Sequence, residues 1–178
     1  SGPVNIEVVD PLLNIEKTFW NRSGTQEITR AEPGDTVTIQ LILTNSGTGP
    51  VYDIEITDPL STKFNAASIA AVDIPAGFTF EVKGSDVIIR GDGAMLPGDI
   101  VIFRFSAQLN SRLSDTNILN EATVTAADTV PGDSIYQRDH SGAVAEDTLS
   151  VRKPPLPPQP PVIDPVGPGE GGSSGIDE

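Results

Sequence analysis

The chain has 178 residues, no cysteine, a single histidine (His140) and a formal charge of −14, from 25 acidic and 11 basic side chains. These counts exclude disulfides, thiolate chemistry, cysteine metal sites, and a histidine-rich zinc site or serine–histidine triad within one chain. The acidic balance argues against nucleic-acid binding by phosphate neutralisation, and no run of about 18 apolar residues is present to span a membrane.

Apolar residues recur at period two in short runs separated by turn signals, which is the pattern of strands. Val4, Ile6 and Val8 begin the first run. Leu13, Ile15 and Phe19 form the next, with Lys17 on the same face. Val37, Ile39, Leu41 and Leu43 alternate from Thr36 to Thr44. The turn Asn45-Ser46-Gly47-Thr48-Gly49-Pro50 then leads to Tyr52, Ile54 and Ile56. Residues 65–72, with three alanines, suit a short helix or an irregular loop. Phe78, Phe80 and Val82 precede the Gly84-Ser85 turn, and Val87-Ile88-Ile89 follow it. Gly98-Asp99 opens a run from Ile100 to Leu109. Ile118, Ala122 and Val124 mark a late strand, and Leu149 with Val151 a last one. The polar stretch Asp128 to Asp147 reads as a long loop. No stretch holds a 3.6-residue period for three turns, so the expected fold is an all-β, antiparallel two-sheet sandwich of at least seven strands.

Half of the 16 prolines lie at or beyond Pro154, in a segment that ends rich in Gly and Ser. Such a composition favours extended and flexible backbone, so 154–178 is expected to be a linker. Residues 12–153 form the sandwich, and 1–11 an amino-terminal extension or first strand.

Three polar residues fall on apolar faces. Lys17 alternates with Leu13, Ile15 and Phe19. Asp58 alternates with Tyr52, Ile54 and Ile56, and Asn120 lies between Ile118 and Ala122. Lysine and aspartate are rarely buried unless paired. Their chemistry fits a self-formed amide cross-link. Burial lowers the amine's pKa, and the neutral amine attacks the Asn120 carboxamide and releases ammonia. Asp58 serves as the acid that polarises the carbonyl and shuttles the proton. The plainer alternative is a polar network, with Lys17 snorkelling to an edge and ion-paired with Asp58 or Glu16, Asp58 capping a turn and Asn120 satisfying a bulge.

Other sites have less support. Asp128, Asp133, Asp139 and Asp147 offer oxygens to calcium, as do Asp10, Asp92 and Asp99 at strand ends, but no calcium-loop pattern is present. Calcium is the one candidate cofactor, and none is required. Arg90-Gly91-Asp92 reads as an exposed turn able to engage an integrin-type receptor, although Asp-Gly is an ordinary turn signal. Asn21-Arg22-Ser23 fits the glycosylation pattern. Phe19 and Trp20 read as packing residues. The scarcity of aromatics argues against a lectin, and the lack of nucleophile–base pairs against an enzyme.

The string from Glu32 to Leu60 resembles the domain-of-unknown-function 11 repeat family of bacterial and archaeal surface proteins. The matching pieces are Pro33-Gly34-Asp35, Thr44-Asn45-Ser46-Gly47 and Thr57-Asp58-Pro59-Leu60. Ile15-Glu16-Lys17-Thr18 upstream, and Leu96-Pro97-Gly98-Asp99 and Asn120-Glu121-Ala122-Thr123-Val124 downstream, extend the likeness from about Leu12 to Val151. The resemblance implies an immunoglobulin-like sandwich, exported to the prokaryotic cell surface and used in stalks, adhesins or surface layers. Its partners would be neighbouring domains of the same protein or a host or surface ligand. Related pilin and adhesin domains carry lysine–asparagine isopeptide bonds, and Lys17, Asn120 and Asp58 match the positions of lysine, asparagine and acid. A calcium-supported adhesive module is the alternative reading.

Overall fold

The computed structural model describes residues 9–132, 135–155 and 157–159. Val4, Ile6 and Val8, Asp133 and most of the linker expected at 154–178 therefore lie outside the described residues. Among the described residues ten strands occur: β1 (Leu13–Trp20), β2 (Arg30–Ala31), β3 (Thr36–Asn45), β4 (Tyr52–Pro59), β5 (Phe64–Asp73), β6 (Phe78–Lys83), β7 (Asp86–Gly91), β8 (Ile100–Leu109), β9 (Thr116–Asp128) and β10 (Val144–Val151). One sheet orders them β1-β3-β8-β5 and the other β2-β10-β9-β4-β7-β6. Every ladder is antiparallel except the two-residue pairing of β2 with β10. The expected all-β, immunoglobulin-like antiparallel sandwich is therefore the architecture.

The core follows from the alternation. Ile39, Leu41 and Leu43 of β3, Phe103 and Phe105 of β8, Ile54 and Ile56 of β4, and Ile118 of β9 all turn into the space between the sheets and are buried. Their outward neighbours are polar or half-exposed, so each sheet hides one face against the other.

Two turns introduce the central pair of the smaller sheet, and both are built alike. In Glu32-Pro33-Gly34-Asp35 and Leu96-Pro97-Gly98-Asp99, proline presets the first bend and glycine takes a positive φ, 91° and 86°. The aspartate N–H donates back to the first carbonyl, at 3.1 and 3.0 Å. Its carboxylate accepts the first residue's N–H, at 2.8 and 2.7 Å.

Asn45, fully buried at the end of β3, fixes the opposite edge. Its amide nitrogen donates to the carbonyls of Gly49 and Met95, and its oxygen accepts from the N–H groups of Leu12 and Gly47. All the hydrogen-bonding capacity of one carboxamide is thus used to join the start of β1, the β3–β4 turn and the segment before β8. Gly47 is needed there because a Cβ would lie 2.3 Å from the Asp10 carbonyl oxygen and the Leu12 nitrogen.

Two elements differ from expectation. Residues 65–72, read as a short helix or loop, belong to β5, an edge strand. Its ladder to β8 breaks between Asn65 and Ala70, where Asn65 Oδ1 accepts the Ala67 N–H and Ser68 Oγ accepts the Gln108 N–H. Alanines carry too little apolar surface to show a buried face, so periodicity was blind to this strand. The supposed loop from Asp128 to Asp147 is also shorter. Strand β9 runs through Asp128, and β10 begins at Val144, so Asp147 lies within a strand.

The chain enters and leaves at opposite ends of the sandwich. Asp10 O accepts the N–H groups of Thr48 and Gly49 beyond the end of β3, and Arg152 N donates to Ala31 O ahead of its start.

Candidate functional site

The three polar residues singled out by alternation meet in the interior. Lys17 projects from β1 in one sheet, and Asp58 from β4 and Asn120 from β9 in the other. Each follows from its strand. Lys17 is the third inward residue of β1, after Leu13 and Ile15. Asp58 is the last inward residue of β4, where Pro59 ends the strand, and Asn120 sits between the buried Ile118 and Ala122. Lys17 is 6% exposed, Asp58 0% and Asn120 2%.

Asp58 holds both of the others. Lys17 Nζ forms an ion pair with Asp58 Oδ2, and Asn120 Nδ2 donates to Asp58 Oδ1 at 2.7 Å. A weaker contact of 3.4 Å runs from Asn120 Nδ2 to the Pro59 carbonyl. Asn120 Oδ1 is buried and has no hydrogen-bond partner among the described residues. Of the plainer alternative, the ion pair of Lys17 with Asp58 is present, but the lysine does not snorkel, because its side chain has no exposed surface and its partner is equally enclosed.

Burial pushes the Lys17 amine below its ordinary value of 10.5, while the carboxylates of Asp58 and Asp147 oppose that fall. Desolvation dominates because removing an ammonium from water costs several kcal/mol, which the attraction of its carboxylates repays only in part. The amine is therefore closer to losing its proton than a surface lysine is, and the nearest acceptor is already in contact.

This arrangement can run an amide exchange. One oxygen of Asp58 faces the nucleophile and the other faces the nitrogen that would leave. A proton lost by Lys17 Nζ can pass through one carboxylate to Asn120 Nδ2. The expected role of Asp58 is thereby narrowed: with this amide orientation it faces the leaving nitrogen and not the carbonyl oxygen. A half-turn of the amide would bring Oδ1 to a protonated Asp58 and restore the carbonyl-polarising contact.

The site contains a fourth residue that sequence reasoning assigned elsewhere. Asp147 of β10 stands opposite Asn120 in the β9–β10 ladder, and its Oδ2 accepts the Phe19 N–H of β1 at 3.1 Å. A signal was present. Asp147 shares its phase with Ala145, Leu149 and Val151, all buried. The rule that found Lys17 would have found it, had the strand been started at Val144.

The remaining candidates do not converge. Asp128 and Asp139 meet through a backbone bridge, and Asp139 accepts both the Ser141 N–H and hydroxyl, which hold its carboxyl below the usual range. Among the described residues no three His, Asp or Glu side chains gather at one point. Arg90-Gly91-Asp92 is not a free turn. Arg90 and Gly91 end β7, where the guanidinium binds Glu55 and Glu81 at 2.8 Å each, and Gly91 lies under the Phe78 ring. Only Asp92 is exposed. Asn21 closes its own turn, its Oδ1 accepting the Thr25 N–H at 3.0 Å. Phe19 is core and Trp20 half-buried, with its indole N–H on Thr18 Oγ1. No helix among the described residues is long and apolar enough to cross a membrane.

The sequence matches no family model and no curated protein. Its fold is similar to that of solved structures. The seventh ScaB type I cohesin from Pseudobacteroides cellulosolvens superposes with a TM-score of 0.50 at 12% identity, over 83% of this chain and 97% of that one. A chain of a type I cohesin–dockerin complex from Clostridium thermocellum gives 0.47 at 14% identity, over 84% and 99%. BcpA, the major pilin subunit of Bacillus cereus, gives 0.45 at 11% identity, over 81% of this chain and 40% of that one. At such identities the likeness is one of fold: the chain is a two-sheet β-sandwich of immunoglobulin-like architecture.

Proposed function

We propose that this chain is a structural stalk or spacer module of a prokaryotic cell-surface protein, whose two sheets are joined by a self-formed isopeptide bond between Lys17 and Asn120. The observation that carries the reading is Asp58, which holds the prospective nucleophile on one oxygen and the prospective leaving group on the other, inside the buried core. In the reaction, Asp58 takes a proton from Lys17, and neutral Nζ adds to Asn120 Cγ. The Nζ–Cγ bond forms, Asp58 passes the first proton to Nδ2, and the Cγ–Nδ2 bond breaks to release ammonia; the second proton shed by Nζ returns to the Asp58 carboxylate and leaves with the ammonia as ammonium. Among the described residues no donor meets Asn120 Oδ1 in this amide orientation, so the oxyanion gains no preorganised stabilisation there and the step is expected to be slow. Slowness is tolerable in a reaction that happens once, with the reactants held together by the fold.

A spacer role draws support from the entry and exit of the chain at opposite ends of the sandwich, and from the absence of cysteine in a class of proteins that often needs a covalent staple. Membership of the domain-of-unknown-function 11 family is part of the same proposal, and the two matching Pro-Gly-Asp turns with identical hydrogen bonds support it. Under this reading the module's partners are adjacent domains of the same protein, and it performs no turnover.

The test is the intact mass of the denatured chain. A loss of about 17 Da against the calculated mass, absent in Lys17→Ala and in Asn120→Ala, is expected from release of one ammonia. Digestion should then yield the peptides of Lys17 and Asn120 joined. An unshifted parent mass would overturn the bond and leave a buried polar network.

A further inference from the structure

We infer that Asp147 is a positioning residue for this cross-link, clamping the lysine strand against the asparagine hairpin. The inference rests on the isopeptide reading above. β1 and β10 belong to different sheets and share no ladder. The Phe19 N–H, two residues beyond Lys17, is held instead by Asp147 Oδ2 at 3.1 Å, while Phe19 O accepts the Ile28 N–H. On the other side Asp147 is paired across β9 with Asn120 itself. Its second oxygen accepts the Thr148 N–H at 2.7 Å, which fixes the carboxylate's orientation. One side chain therefore ties the backbone of the nucleophile's strand to the register position of the electrophile. Without it, the backbones carrying Lys17 and Asn120 are held together only by side-chain packing and the Asp58 bridge, and near-attack geometry is sensitive to shifts of about 1 Å.

Asp147 also adds a charge. The charged groups acting on Lys17 are Asp58 from β4 and Asp147 from β10, whereas β3 presents Leu41 and β9 presents Asn120, neither of which titrates. A carboxylate beside the amine favours its protonated form. Position and charge therefore act in opposite directions on the rate, and two substitutions separate them. Asp147→Ala removes both. Asp147→Asn keeps an oxygen for the Phe19 N–H and removes the charge, together with the acceptor for the Thr148 N–H.

The experiment is cell-free synthesis of the full chain, followed by buffer exchange to a series of pH values and acid-quenched intact-mass time courses. Asp147→Ala should lose ammonia about tenfold to a hundredfold more slowly than the parent. Asp147→Asn should retain the parent's plateau rate and shift the rate-against-pH profile to lower pH, a shift that a purely structural role would not produce. Should Asp147→Ala fail to fold by circular dichroism, Asp147→Leu, close in size and without an acceptor, takes its place. A parental plateau rate in the variant without an acceptor overturns the positioning role, and an unmoved profile in Asp147→Asn overturns the charge effect. A parent that never loses 17 Da overturns the isopeptide reading itself, and this inference with it.

Discussion

Lys17 and Asn120 stand in opposite sheets of the sandwich, and each reaches a different oxygen of the same carboxylate, Asp58. The pair is therefore joined through a bridging acid that can move a proton between them. Any bond formed between the two would cross the core and not merely brace neighbouring strands.

Asp58 is the residue on which both readings of this site converge. Asp58→Ala should abolish the 17 Da loss and leave a buried lysine without its counter-ion, which costs about 3–5 kcal/mol. Asp58→Asn should also block the proton transfer, with a smaller loss of stability because hydrogen bonds to Lys17 and Asn120 can persist. Intact mass and thermal unfolding measure the two effects separately. Ammonia loss at the parental rate in Asp58→Asn would remove Asp58 from the reaction.

An uncross-linked chain should reveal the strained lysine through pH. In Asn120→Ala, Lys17 remains a free amine whose folded pKa lies below its unfolded value of 10.5. Between those two values the unfolded chain binds more protons than the folded one, so stability rises with pH across the window and levels off above it. The rise should disappear in Lys17→Met/Asn120→Ala. Denaturant unfolding at several pH values tests the difference between the two chains, and a difference that falls with pH would contradict the sign of the shift.

The Asn45 clasp should matter for stability and not for chemistry. Asn45→Ala removes four hydrogen bonds and leaves backbone groups of Leu12, Gly47, Gly49 and Met95 each short of a partner. A cost of about 2–4 kcal/mol follows at roughly 1 kcal/mol per bond. The ammonia loss should still go to completion, since Asn45 lies away from the three reacting residues.

Gly91 and Arg90 distinguish a receptor turn from a structural strand end. Gly91→Ala would bring a Cβ to 2.7 Å from the Phe78 ring and should lower the melting temperature. Arg90→Ala breaks two partly exposed ion pairs, to Glu55 and Glu81, each of which should contribute no more than about 1 kcal/mol. A free turn would tolerate both substitutions equally.

Alternation alone placed Lys17, Asp58 and Asn120 on inward faces, because a strand has period two and each of these residues is flanked by apolar neighbours in phase. The turns at Gly34 and Gly98 were equally legible, since proline and glycine restrict the backbone locally. The same logic failed where local signals were weak. In β5 the alanines bury too little to mark a face, and at β10 the strand start at Val144 was hidden by the polar residues around it, so Asp147 was taken for a loop acid. Arg90-Gly91-Asp92 reads locally as a turn because of its Asp-Gly step, whereas Arg90 is paired in ladders with Glu55 and Thr79 on two other strands. By itself the sequence therefore determined the fold class, the faces of the strands and the three unusual polar residues, all consequences of backbone periodicity and turn chemistry. Only the tertiary structure decided that β1 lies across from β4 and β9, that one carboxylate serves two residues, and that Asp147 joins them. Contacts between strands far apart in the chain depend on sheet order and packing, and no local pattern encodes either.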